Sequence, residues 1–149
     1  MTVKYLAPLN ETEQELTLKV PALVVLLVSA ADSEIHKKEE AAGKKLIHYR
    51  AFTADVVLHD YYEAVNVRFD GDVEPMIANW KGEESLDAIK AELAKMPEIL
   101  AKLDTVFVDH LKTSWRTLAH EVAKAEGGIM GFGAITPEEL KVVDLPMID

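Results

Sequence analysis

Apolar side chains recur along this chain at steps of three and four, the spacing that lines one face of a helix, and almost nowhere alternate as a strand would. Residues 22–31, ALVVLLVSAA, are apolar all round, which predicts a helix buried on every side. Pro21 fits the first turn of that helix, where its missing N–H costs little, so a separate short amphipathic helix is expected over 11–19. A further helix is expected over 36–52, with Leu46, Ile47, Tyr49 and Phe52 as its buried side, and 53–55 then reads as a cap. Over 56–69, Val57, Leu58, Tyr61, Tyr62, Val65 and Phe69 keep helical spacing, and a helix is favoured there despite the β-branched members.

Turn chemistry punctuates the second half. Asp70-Gly71-Asp72-Val73-Glu74-Pro75 carries the strongest internal turn signal and Trp80-Lys81-Gly82 the next, with a short helix between them. From Leu86 onward, Leu86, Leu93, Leu100 and Phe107 repeat every seven residues, and Ile89, Met96, Leu103 and His110 repeat in parallel. Such a stripe should face a bundle, and it continues through Leu111, Trp115, Leu118 and Val122. Proline in a helix interior costs about 3 kcal/mol, so Pro97 predicts a break or kink near 95–97. Thr136-Pro137-Glu138-Glu139 has the form of a capping box with proline at the first helical position, opening a short last helix. The expected architecture is all-α, in a single domain spanning 1–149.

Composition narrows the chemistry. The 149 residues carry 16 Lys and Arg against 26 Asp and Glu, a formal charge of −10, and no cysteine. Thiolate metal sites, thiol nucleophiles and disulfides are therefore excluded, and any metal must be held by oxygen or histidine. Such an acidic chain repels phosphate backbones, so nucleic acid is not an expected partner, whereas a divalent cation or a basic protein surface is. The segment 22–31 is about half the ~20 apolar residues that a membrane span needs and has no basic leader, so no span is expected and the location is read as cytoplasmic.

Acidic residues gather at two matched places. Residues 27–40, LVSAADSEIHKKEE, and 122–139, VAKAEGGIMGFGAITPEE, share one order: a small-residue helix end, an acid, a loop, an isoleucine, then paired glutamates opening a helix. The first copy resembles the back half of an EF-hand loop, but the positions that would supply its first two ligands are Val28 and Ala30, so a standard EF-hand is excluded. Capping and helix-dipole effects alone would also account for these acids. The second copy holds GGIMGFG, yet no strand precedes it and no Lys-Ser/Thr follows, so a phosphate cradle is disfavoured.

The paired motifs resemble the TerB-like family of all-helical proteins associated with tellurite resistance and bacterial stress. That resemblance implies a compact bundle of about seven helices in pseudo-twofold halves, an acidic, metal-binding surface, and no established catalysis. On the motif, the family acids fall on Asp32, Glu34 and Glu39 in the first copy and on Glu126 and Glu138 or Glu139 in the second. Ser33 departs from the pattern, which commonly has glycine after the first acid.

Other constellations are weaker. The acids of Asp70-Gly71-Asp72-Val73-Glu74 could bind a cation but read more simply as a solvated turn. None of His36, His48, His59, His110 and His120 has Glu three residues before it, which excludes the paired ligands of di-iron bundles, and Lys124 excludes a zincin helix. The favoured expectation is a non-catalytic protein binding calcium or magnesium through Asp32, Glu34, Glu39, Glu126, Glu138 and Glu139. The first rival is a helical protein-interaction module without metal. A carboxylate-metal hydrolase, which needs two ion sites within about 4 Å, is the second. The apolar bundle faces also allow a homodimer.

Overall fold

The computed structural model describes residues 3–31, 37–127 and 142–149, with the backbone alone at 37–39 and 125–127. Among them are α1 (Glu11–Ser29), α2 (Lys37–Thr53), α3 (His59–Ala78), α4 (Glu83–Leu93), the one-turn α5 (Met96–Leu100) and α6 (Thr105–Gly127). No strand occurs among the described residues, so the expected all-α class holds. Five helices are long, against an expected total of about seven, and the helix expected from Thr136 onward lies outside the described residues.

Helix α1 is the axis of the molecule. Asn10 starts it with a reciprocal cap: its side chain accepts from the Glu13 N–H at 2.8 Å, and the Glu13 carboxylate accepts from the Asn10 N–H at 3.1 Å. Its residues 20–28 are all buried, and it packs against α2, α3, α4 and α6. The chain does not break into two helices at Pro21, as the sequence suggests; α1 runs straight through it. Proline removes the N–H that would bond the Thr17 carbonyl one turn back. That carbonyl accepts instead from the Tyr61 hydroxyl of α3 at 2.7 Å, and the same hydroxyl accepts from the Trp115 indole N–H of α6 at 3.2 Å. A tertiary donor thus takes the place of the missing backbone donor.

The strongest turn signal also proves to be helix. Helix α3 begins later than the pattern suggests, at His59 after a turn closed by Asp55, whose carboxylate accepts from the Leu58 N–H at 3.2 Å. It then continues through Asp70, Gly71, Asp72 and Pro75 to Ala78 and absorbs the short helix expected there. Phe69 and Val73 are buried on its inner side, and Arg68 ties Asp72 at 2.7 Å and Glu15 of α1 at 2.9 Å. Packing and these ion pairs outweigh the local preference of Asp, Gly and Pro for a turn. The following turn is as expected, with Gly82 at a φ of 62° before α4.

On α2 the buried side differs from the expected one. Ile47 is buried, but Tyr49 and Phe52 are 65% and 75% exposed. The inner face is made by Gly43, Ile47 and Ala51, whose small members hide the helical period. A Cβ on Gly43 would lie 2.5 Å from Val25 of α1, so glycine is what lets the two helices cross so closely.

The heptad stripe is buried at Leu86, Ile89, Leu93, Met96, Leu100, Leu103 and Phe107, and then at Leu111, Trp115, Leu118 and Val122. The break expected near Pro97 falls between α4 and α5. A second one, absent from the sequence reading, separates α5 from α6, where the Asp104 carboxylate accepts from the Phe107 N–H at 3.1 Å. His110 leaves the stripe, with its side chain 41% exposed.

Two helices run in the same direction. Glu13 near the start of α1 pairs with Lys102 just before α6, and farther on Thr17 and Trp115 meet through Tyr61. Helix α2 is antiparallel to α6, since Arg50 meets Glu121 and, later in the chain, Asp55 meets His110. No helix among the described residues is long and apolar enough to cross a membrane.

Candidate functional site

Four of the acids singled out by the repeated motif, Asp32, Glu34, Glu138 and Glu139, lie outside the described residues. Glu39 and Glu126 belong to α2 and α6 by their backbone, and their side chains are likewise outside the description. What the described residues do establish is where the helices flanking those motifs end. From the Thr17–Tyr61–Trp115 relay, α1 reaches Ser29 and α6 reaches Gly127 over the same number of residues, about 18 Å each at 1.5 Å per residue. The α1–α2 pair is a hairpin, with Val25 against Gly43. The end of α1, the start of α2 and the end of α6 therefore share one end of the bundle.

The third acidic group is dispersed rather than gathered. Asp70 pairs with Lys44 at 3.1 Å and Asp72 with Arg68 at 2.7 Å, so two of its three carboxylates already have cationic partners. Among the described residues, one group has three ligand atoms close together: His59, Asp60 and Glu63, within 4.8 Å of one another and all exposed, at the start of α3. His59 and Glu63 also pair directly at 3.4 Å.

A cleft of about 620 Å³ lies between the C-terminal half of α2 and α6, roofed at one end by the turn into α3. Its floor is polar. The Arg50 guanidinium, with 12% of the side chain exposed, reaches Glu121 at 3.4 Å and lies 5.9 Å from the centre of the Tyr62 ring. The Tyr62 hydroxyl shares a hydrogen bond with Ser114 Oγ. Burial pushes the Tyr62 phenol above its usual range, while the bond to Ser114 and the nearby Arg50 partly offset the shift. At the mouth, His110 Nδ1 meets the Asp55 carboxylate at 3.0 Å.

Asp55, His110 and Ser114 supply the residue types of an acyl-transfer set, with His110 and Ser114 one turn apart on α6. The arrangement lacks the bond that matters. A nucleophile needs its base within hydrogen-bond reach, whereas Ser114 Oγ is engaged by Tyr62 and no hydrogen bond to His110 occurs among the described residues.

Sequence reasoning missed this cleft because its walls have no motif. A usable signal was present in Tyr49, Phe52 and Val56, three apolar residues that fit no buried face once Gly43, Ile47 and Ala51 are recognised as the inner side of α2. No family model, no curated protein and no solved structure matches this chain.

Proposed function

We propose that the protein is a non-catalytic, TerB-like helical protein that binds a divalent cation, calcium or magnesium, through acids of its two repeated motifs. The parallel run of α1 and α6 carries this reading. Asp32 follows Ala31 by one peptide bond, and Glu126 falls in the last turn of α6, so both motifs belong to chain attached to the same end of the bundle. Gathered carboxylates raise one another's proton affinity, and a hard cation relieves that repulsion.

Calorimetric titration with calcium, magnesium and manganese tests the proposal, alongside melting temperature. Expected are saturable heat and a rise in melting temperature at millimolar metal, both lost in a Glu39→Gln/Glu126→Gln variant. No heat and no shift would overturn it. So would binding that survives this variant but is lost in Glu63→Gln, because the ion would then sit on α3.

A further inference from the structure

Six large apolar side chains are left exposed among the described residues, and four of them, Tyr49, Phe52, Val56 and Val106, lie on the two helices that wall the α2–α6 cleft or on the turn beside it. Tyr49 lines the cleft between α2 and α6, and Phe52 lies one turn farther along α2. Val56 follows Asp55 in the chain and Val106 is one turn before His110 on α6, so each valine neighbours one partner of the Asp55–His110 bridge. Scattered exposed apolar residues are ordinary; a concentration around a concavity marks a contact surface.

Charge decides what that contact is. Three carboxylates line the cleft, on Asp55, Asp109 and Glu121, against the single guanidinium of Arg50, and Arg50 is already held by Glu121. Asp109 is exposed and has no ion-pair partner among the described residues. The excess at the cleft is negative, as in the whole chain with its formal −10. An anionic ligand would meet the carboxylate of Asp109, which has no ion-pair partner among the described residues, whereas a cationic one would gain it as a partner.

We propose that the α2–α6 cleft docks a basic amphipathic helix of a protein partner, whose apolar side covers Tyr49, Phe52, Val56 and Val106 and whose Lys or Arg side chains meet Asp109 and Asp55. A groove between two helices with an apolar rim suits the ridge of a third, read by anchors at helical spacing. The surface is separate from the cation reading, since it uses none of the motif acids.

The test uses the full chain and two synthetic 18-residue amphipathic peptides with a Leu and Trp face, one with Lys on the polar face and one with Glu. Fluorescence anisotropy should show saturable binding of the Lys peptide, and the Glu peptide should be at least tenfold weaker. Tyr49→Ala/Phe52→Ala should weaken the Lys peptide at least tenfold and Asp109→Lys severalfold, while Val67→Ala on α3, equally exposed but remote in the chain, should change nothing. All four positions are solvent-facing, so folding is not at stake, and circular dichroism checks it. Equal binding of both peptides, or binding indifferent to Tyr49 and Phe52, would overturn the proposal. Self-association through Phe52, seen by sedimentation of the protein alone and abolished by Phe52→Ala, would overturn it too, because the occupant would then be a second copy.

Discussion

Tyr61 performs a task that Pro21 creates. Its hydroxyl is fully buried, donates to the Thr17 carbonyl that the proline leaves without a partner, and accepts from Trp115. Tyr61→Phe would strand a buried carbonyl and a buried indole N–H together, at about 1–3 kcal/mol for each unsatisfied group. A sharper readout is the coupling. Residue 21 regains an N–H in Pro21→Ala, so Tyr61→Phe should cost less in that background than in the parent, measured by a denaturant double-mutant cycle. Equal costs would mean that the hydroxyl does not serve the proline gap. Glycines give a second contrast. Nothing lies within 4 Å of a Cβ on Gly71, whereas a Cβ on Gly43 meets Val25 at 2.5 Å. Thermal melts should therefore show Gly71→Ala stabilising by up to about 1 kcal/mol, as for an exposed helix interior, and Gly43→Ala destabilising by about 1–3 kcal/mol through overpacking.

The Gly71 result bears on a whole element, because a turn with glycine at positive φ would make the same substitution harmful. Sequence periodicity reaches the helices where large apolar residues repeat, as in the run from Leu86 to Val122 and in the buried core of α1. It fails where a local signal competes with distant contacts. Asp70 to Pro75 reads as a turn in isolation and is helix because Arg68, Phe69 and Val73 have partners elsewhere in the fold. Pro21 reads as a helix start because the donor that replaces its N–H at the Thr17 carbonyl lies 44 positions beyond Thr17. The inner side of α2 was illegible for another reason: Gly43 and Ala51 bury little apolar surface, so Tyr49 and Phe52 looked like the core and are exposed, Tyr49 in the wall of a cleft. As for the candidate sites, the motif acids were legible as a repeat, while the cleft depends on how two helices meet and has no local signature.

Across the molecule, stability and pH are linked through the same buried phenols. Burial raises the Tyr61 phenol well above its ordinary value of 10.0, and burial raises that of Tyr62 as well. A group whose folded value is raised contributes stability that is complete below the unfolded value and is lost as pH rises toward the folded one. The protein should therefore hold its fold to about pH 10 and lose stability above it, with the tyrosinate absorbance of these two residues emerging together with the loss of helical circular dichroism. Lys44, raised first by its hydrogen bond to Asp70, adds in the same direction. Tyrosinate forming at Tyr61 while the helices persist would contradict this account. On the acid side, Glu13 is lowered first by Lys102 and then by the Asn10 N–H, and its contribution fades as pH falls below the ordinary glutamate range. The relay through Tyr61 has one more consequence, for the order in which the chain can fold. Its three members sit on α1, α3 and α6, so the carbonyl exposed by Pro21 stays without its protein donor until Tyr61 has been synthesised, and Tyr61 lacks its own donor until Trp115 follows. The central helix, although translated before α3 and α6, is thus completed among the last, and shortened chains ending before α6 should remain loose while the full chain closes in one cooperative step.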